Sequence, residues 1–337
     1  MPDLHSDFVG RVNRLALKPS DKTCLVPVME AMSNSIQAIT ERLGDKAQGL
    51  GRVQVTVLRD LEKDDLPIIG FEIEDNGVGF TEENYRSFLT PDSRHKERRG
   101  GKGVGRLAWL KVFDRFDVDS IYLDHGTLYR RHFHFRLTDK EQVEIVEEGN
   151  AEPNSQVLTR VTFRGFDPRF AARCPSKKGS IALRLLLHFV PLFIAGNAPT
   201  VVIDDGDPIN IEALFADSIV TQRTTPLDLE IDGESVVIDL WSLKCNKTVR
   251  FGAGYNFAFL TANNRSVIDY SIDDQLGLRL LDGEYIYLGS ASGEYLDKHV
   301  NSERTGFTLD SSDIDVIKRA IARRDFIGNL GNAKSGD

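Results

Sequence analysis

Cysteine is scarce in this chain, and the few cysteines do not cluster. Only Cys24, Cys174 and Cys245 occur among 337 residues, each far from the others in the sequence. This spacing lacks the Cys-x-x-Cys and Cys/His patterns that hold zinc. An odd number of cysteines without a secretory signal is typical of a reducing compartment, so we expect a cytoplasmic protein.

The chain also lacks a long hydrophobic run and a targeting signal. The most lipid-like stretch, 181–194, is too short to span a bilayer and is interrupted by Arg184, His188 and Pro191. Residues 1–7 carry no basic segment followed by an apolar one, which is the pattern of a targeting peptide. We therefore expect no membrane association and interpret 181–194 as a buried helix of a soluble domain.

An excess of basic charge is likewise missing. The formal net charge is −9, and the charged and hydrophobic fractions, 28% and 41%, are ordinary for a folded globular protein. The acidic balance argues against extensive coating of nucleic acid, although it does not exclude a local basic patch. With 337 residues the chain is long enough for two domains with their own cores.

The hydrophobic pattern that is present predicts an α+β sandwich, with helices on one face of a mixed sheet. A helix is predicted from Cys24 to Leu43, with Pro27 in its first turn, because apolar residues recur there at helical spacing. Alternating apolar residues predict strands at 53–57 and 68–74, whereas 80–99 is polar and basic. Further predicted elements are a short helix after Leu107, strands at 133–137, 157–163, 255–261 and 285–289, a hairpin through 231–234, a turn at 263–265 and a last helix at 312–327.

Two polar elements in the N-terminal third of the chain combine residue types that suit a nucleotide site. Asp75 can accept a hydrogen bond from the amine of adenine, while Gly77 and Gly79 let the backbone turn tightly beneath the base. On the predicted helix, Asn34 offers a neutral oxygen to Mg²⁺, and Glu30, one turn earlier, can activate a water as general base. Each of these residues, considered singly, also has a simpler interpretation. Asp75 can belong to a turn that ends a strand, Asn34 can be a solvated side chain, and Glu30 can be a surface glutamate.

A third element, rich in glycine, predicts a lid over the phosphates. Its backbone amides can bind phosphate oxygens, and a helix that begins at Arg106 would add its dipole. Between Arg94 and Arg106 there are six lysines or arginines and a single acid, although a solvated loop would also fit these charges. The residues assigned to this lid are Lys96, Gly101, Lys102, Gly103, Val104 and Gly105. The Walker pattern and the Rossmann glycine pattern are both missing.

Together the three elements resemble the GHKL ATPase superfamily, which includes gyrase B subunits, the ninety-kilodalton heat-shock chaperone, MutL mismatch-repair proteins, microrchidia ATPases and histidine kinases. Residues 30–38 are similar to its asparagine box, 75–79 to its Asp-x-Gly-x-Gly box and 100–105 to its glycine lid. The resemblance implies a Bergerat-type α/β sandwich. It also identifies Thr159 as the threonine that supports the adenine-binding aspartate, although Leu158 stands where the family usually has glycine.

Further along the chain, 263–267 resembles the Asn-x-Arg-x-Val turn of the family's transducer domain. The resemblance implies that this smaller α/β domain delivers a cation to the γ-phosphate, with Arg304 the preferred candidate and Lys298 the second. The implied divisions are an N-terminal extension at 1–20, an ATP-binding domain at 21–215, a transducer-like domain at 216–327 and a flexible tail at 328–337.

The activity that the resemblance implies is Mg²⁺-dependent binding and hydrolysis of ATP, which drives a conformational switch and ATP-dependent homodimerisation. DNA or a protein would be the client, in DNA maintenance, defence against phage or chaperone-like remodelling. A histidine-kinase-like activity is an alternative, although that branch usually has asparagine at the position of Glu30. A nucleotide-gated binding module with little turnover is another. We expect the chain to be the N-terminal ATPase part of a longer protein, with 1–20 exchanged between protomers.

Overall fold

The computed structural model describes residues 8–90, 105–138, 141–250, 254–263, 265–277, 279–301 and 306–322. The chain divides into two compact units. The first comprises Met1–Ala182 with Asn197–Ile211, and the second comprises Leu183–Gly196 with Glu212–Asp337. The segment Leu183–Gly196 therefore belongs to the second unit although it precedes residue 216, where the sequence predicts that the second domain begins. Within the described ranges, every helix is too short or too polar to cross a lipid bilayer.

Seven α-helices are described between residues 8 and 188. They are α1 (Phe8–Arg14), α2 (Val26–Leu43), α3 (Ala47–Leu50), α4 (Glu82–Leu89), α5 (Gly105–Val112), α6 (Pro168–Ala171) and α7 (Lys178–His188). The predicted helix at 24–43 is confirmed as α2, which follows a 3₁₀ turn at Thr23–Leu25 and has Pro27 in its first turn. A proline is tolerated there because its missing N–H would have no partner within the helix.

The first unit contains one sheet of eight strands. They are β1 (Arg52–Arg59), β2 (Ile68–Asp75), β3 (Phe113–Asp124), β4 (Thr127–Arg136), β5 (Val143–Asn150), β6 (Leu158–Phe166), β7 (Thr200–Asp204) and β8 (Ile209–Asn210). Their order across the sheet is β5-β4-β3-β6-β2-β1-β7-β8. Neighbours are antiparallel except β1 and β7, which are parallel. The expectation of an α+β protein with a large mixed sheet is confirmed.

The two faces of this sheet differ in chemistry. Helix α2 packs against β1 and β2, and α5 packs against β3. The strand residues on that face are largely apolar and buried; the apolar ones include Val53, Val55, Phe71, Ile73, Phe116, Val118, Phe133, Phe135, Val161 and Phe163. The opposite face carries ion pairs between neighbouring strands, such as Arg160–Glu74 at 2.6 Å. Alternation of apolar and charged residues along each strand thus decides which face the helices cover.

The second unit contains a mixed sheet of five strands. They are β9 (Ile219–Ile231), β10 (Glu234–Asn246), β11 (Phe257–Ala262), β12 (Arg265–Ser271) and β13 (Tyr285–Ser292), in the order β12-β11-β13-β10-β9. The helices of this part are α8 (Val190–Ile194), α9 (Ile211–Ser218), α10 (Asp273–Leu276), α11 (Glu294–His299) and α12 (Ser311–Ile321). The predicted hairpin is confirmed: Asp232 and Gly233 both have positive φ, 52° and 77°, in the two-residue turn between β9 and β10.

One expectation needs correction, and one segment described only as polar contains an additional helix. The stretch 181–194 forms two helices and not one, because α7 ends at His188 and α8 begins at Val190, with Pro191 in its first turn. Its burial is as predicted. The polar segment at 80–99 contains helix α4, whose first turn is capped by the Thr81 hydroxyl accepting from the Asn84 amide at 3.3 Å.

Candidate functional site

The carboxylate of Asp75 lies at the end of β2, beneath α2, and is 5% exposed. Its Oδ2 accepts a hydrogen bond from the Ser35 hydroxyl at 2.7 Å, and its Oδ1 accepts from the Gly77 amide at 2.8 Å. Burial raises the pKa of Asp75 to about 6, and the hydrogen bonds from Ser35 and Gly77 oppose that rise. The site therefore holds a buried acid that ionises near pH 6.

The turn after Asp75 lies directly against α2. The Val78 amide donates to the Ala38 carbonyl at 3.0 Å. A Cβ added at Gly77 would lie 2.5 Å from the Ala38 Cβ and 2.8 Å from the Asp75 Oδ1. Only glycine fits this close approach of turn and helix, which accounts for the first glycine of the motif.

The second glycine of the motif, Gly79, lies against β3. Its φ is +79°, and an added Cβ would lie 2.8 Å from the Ser120 Oγ and 2.9 Å from the Tyr122 Cβ. The carbonyl of Gly79 accepts from the Asn84 side-chain amide at 3.0 Å, which links the turn to α4. Both the left-handed conformation and the lack of space require glycine at this position.

A row of five polar residues crosses the helix-covered face of the sheet, which is otherwise largely apolar. The members oppose one another in register on β2, β6, β3, β4 and β5: Asp75, Thr159, Ser120, Arg131 and Glu148. We call them the polar row. The first four are buried. Thr159, expected to support Asp75, lies directly opposite it, and its hydroxyl is hydrogen-bonded to that of Ser120 at 2.9 Å.

The expected base and metal ligand lie on α2, close in sequence to Ser35. Asn34 is exposed, and Glu30, one turn earlier, is half-buried. Because Asn34 and Ser35 are neighbours, the helix that fixes the Asp75 carboxylate also carries these two side chains. Within the described parts of the chain, groups of three or more His, Cys, Asp or Glu side chains suited to a metal ion are absent.

Several expected site residues lie outside the described residues, namely Lys96, Gly101, Lys102, Gly103, Val104 and Arg304. Gly105, the last residue assigned to the lid, is the first residue of α5. The second candidate for the cation of the transducer-like domain, Lys298, is 67% exposed and pairs with Glu294 at 2.7 Å, one turn away on α11.

The site includes four residues that the sequence did not indicate, namely Ser35, Ser120, Asn84 and Arg131. Ser120 follows Phe116 and Val118 at alternating positions of β3, on the face that the helices cover. A polar residue at an inward position of an alternating strand is the signal that could have found it. Arg131, before Phe133 on β4, gives the same signal.

A scan against protein-family models found no match for this chain, and a search among curated proteins found no significant match.

Proposed function

We propose that the first unit binds ATP with Mg²⁺ and hydrolyses it as a GHKL-type ATPase, with nucleotide state driving a conformational or dimerisation switch. The observation that carries the proposal is the buried Asp75 carboxylate, which accepts hydrogen bonds from Ser35 in the middle of α2 and from the Gly77 amide. The same helix bears Glu30 and Asn34. The acceptor proposed for adenine is thus hydrogen-bonded to the helix that bears the groups proposed for catalysis.

The carboxylate of Asp75 suits the amine of adenine. Each carboxylate oxygen can accept about two hydrogen bonds, and each already accepts one from the protein. The remaining acceptor positions can receive the exocyclic N–H of adenine. A base with a carbonyl oxygen in place of that amine would face an ionised acceptor, which is unfavourable.

Asn34 is suited to be a protein ligand of a Mg²⁺ ion that the nucleotide holds with most of its other ligands. Mg²⁺ takes six oxygen ligands and commonly keeps few from the protein, with phosphates and waters completing the set. An exposed side-chain carbonyl on α2 can serve as that single protein ligand. When bound, the ion would neutralise charge on the phosphates.

Glu30 is proposed as the general base. Its carboxylate would take the proton of the attacking water as the new bond to the γ-phosphorus forms. The bond between that phosphorus and the bridging oxygen breaks, so ADP and phosphate leave and the proton returns to solvent. The half-buried position of Glu30 restricts its access to bulk water without removing it from the surface.

The layered architecture supports a Bergerat-type sandwich, since α2 and α5 pack on one face of an eight-stranded mixed sheet. The second unit, with its five-stranded mixed sheet, suits the role of a transducer-like domain. An ATP-dependent homodimer with DNA or a protein as client is part of the same proposal, as is a cytoplasmic location.

The direct test is phosphate release from ATP by wild type and Glu30→Gln. We expect Mg²⁺-dependent release by wild type, and loss of release with retained nucleotide binding in the variant. Glu41→Gln, near the end of the same helix, is the matched control and should hydrolyse normally. Full activity of Glu30→Gln would remove the base assignment, and transfer of labelled γ-phosphate to the protein would favour a kinase.

A further inference from the structure

We propose that Arg131 is a positioning residue for the nucleotide site, because it fixes the peptide of Phe80 at the end of the glycine turn. This inference rests on the proposed function for its consequence, but its structural part can be tested without nucleotide. Arg131 lies on β4, in the polar row, and only 2% of its surface is exposed.

The guanidinium of Arg131 donates hydrogen bonds to three residues, Phe80, Glu82 and Glu148. Its Nη1 donates to the Phe80 carbonyl at 2.9 Å, and its Nη2 donates to the Glu82 carboxylate at 2.9 Å at the start of α4. Its Nε donates to Glu148 on β5 at 2.9 Å. The carbon of the guanidinium also lies 4.3 Å from the centre of the Tyr85 ring. One planar cation therefore connects the turn, α4 and the edge of the sheet.

Both polar groups of the Phe80 peptide backbone are held by this row. The Phe80 amide donates to the Ser120 hydroxyl at 2.9 Å, and the Phe80 carbonyl accepts from Arg131. Ser120 and Arg131 face each other in register on β3 and β4. Since Phe80 follows Gly79 directly, the sheet fixes the backbone next to the residue that must adopt a left-handed conformation.

Stability alone does not explain an arginine at this position. The surroundings are aromatic, with Phe80 5.4 Å and Tyr85 5.3 Å from the ring of Phe133. The two carboxylates that Arg131 pairs with, Glu82 and Glu148, have side chains that are 51% and 48% exposed, so each could be solvated by water without the arginine. What an apolar residue lacks is the planar set of donors that orients the Phe80 carbonyl, Glu82 and Glu148 at once.

The experiment compares Arg131→Met and Arg131→Lys with a matched control, Arg130→Met. Arg130 is the adjacent residue of β4 on the opposite face, where it forms a double hydrogen bond with Asp119 at 2.8 and 2.9 Å. Three quantities are measured: amide hydrogen exchange at Phe80 and along α4, the Kd of a non-hydrolysable ATP analogue with Mg²⁺, and kcat at saturating ATP.

For Arg131→Met we expect faster exchange at Phe80 and a Kd raised about tenfold, in line with the loss of charge-assisted hydrogen bonds. The kcat at saturating ATP should stay within about twofold, because Glu30 and Asn34 on α2 are unchanged. Arg131→Lys keeps the charge but lacks the planar set of donors, so it should show the same changes. It also tests the proposal if the methionine variant misfolds. Arg130→Met should leave all three quantities unchanged.

The proposal is overturned if Arg131→Lys, well below its unfolding temperature, exchanges at Phe80 and binds the analogue as wild type does. Equal losses in the Arg131 and Arg130 variants would also overturn it, since both would then act only through stability. If wild type binds no nucleotide, the proposed function is wrong, independently of the role of Arg131. Hydrogen exchange at Phe80 then still decides whether Arg131 fixes the turn.

Discussion

Ser35 and Asp75, 40 residues apart in the chain, are joined by a hydrogen bond of 2.7 Å between two buried side chains. Ser35 lies on α2, and Asp75 ends the second strand of the sheet. The bond therefore ties the helix that carries Glu30 and Asn34 to the carboxylate proposed to recognise adenine. Because the pKa of this carboxylate is raised to about 6, binding and stability should both depend on pH.

Asp75→Asn should stabilise the first unit near neutral pH while removing nucleotide binding. The pKa of Asp75 is raised from 3.8 to about 6 on folding, so the folded state holds a proton between these values that the unfolded state has lost. Above pH 6 the buried charge costs about 3 kcal/mol, and that cost disappears as pH falls towards 4. The variant lacks this cost and keeps an oxygen for the Gly77 amide.

The measurement is urea unfolding of both proteins at pH 7.5 and pH 5. In a Trp241→Phe background, Trp109, buried on α5, reports on the first unit alone. We expect the gain in the free energy of unfolding to be largest at pH 7.5 and to shrink at pH 5. A gain that is the same at both values would show that the charge of Asp75 is not its cause.

Nucleotide affinity should fall as pH decreases through about 6, because a protonated Asp75 is a poorer acceptor for the adenine amine. Removing the hydroxyl in Ser35→Ala should raise the pKa of Asp75 further, since a hydrogen bond that favours the ionised form is lost. The midpoint of the binding curve should then move to higher pH. Titration of ATP itself is common to both proteins and does not contribute to the difference.

Ser33→Ala is the control for that shift. Ser33 is also buried on α2, but its hydroxyl donates to the Met29 carbonyl at 2.9 Å and not to Asp75. Isothermal titration with an ATP analogue from pH 5 to pH 8 gives the three midpoints. If Ser35→Ala and Ser33→Ala have the same midpoint as wild type, the Ser35–Asp75 bond does not control the ionisation.

Gly79→Ala should be far more damaging than Gly126→Ala, although both glycines have a similar positive φ, +79° and +82°. At Gly126 an added Cβ meets no heavy atom within 4 Å, so only the cost of the left-handed conformation, about 1–2 kcal/mol, applies. At Gly79 the Cβ would overlap Ser120 and Tyr122, which adds an overpacking cost of about 1–3 kcal/mol. Thermal unfolding and analogue binding should separate the two variants, and equal losses would contradict the tight contact at Gly79.

Asn34→Ala should remove the effect of Mg²⁺ on nucleotide binding without changing stability. Asn34 is exposed, so truncation should alter the free energy of unfolding by no more than about 0.5 kcal/mol. Binding of ATP is compared with Mg²⁺ and with a chelator, and Thr40→Ala, exposed on the same helix, serves as the control. Retention of the full Mg²⁺ effect in Asn34→Ala would exclude Asn34 as a ligand.

Short sequence patterns predicted the helices and turns whose structure depends on residues that are close together in the chain. Helix α2 follows from its apolar periodicity, and the hairpin between β9 and β10 follows from Asp232 and Gly233. Helix α4 was missed although Thr81, followed by two glutamates, is an N-terminal signal that the sequence offers.

Only those residues of the site that belong to a short sequence motif could be predicted. Asp75 and the two glycines were found because the turn needs those residue types in sequence. The polar row depends on strand register, which brings Ser120 between Thr159 and Arg131 from three different strands. Register is set by long-range pairing of β3, β4 and β6, and no short sequence window contains that information.

The most direct test of the central claim is binding of a non-hydrolysable ATP analogue with Mg²⁺ to wild type and Asp75→Asn at pH 7.5, with mass followed by light scattering. The account predicts that wild type binds, that its mass increases with the analogue, and that the folded Asp75→Asn variant does not bind. Absence of binding to wild type, or equal binding to both proteins, would contradict the claim that Asp75 lies at the centre of an ATP site.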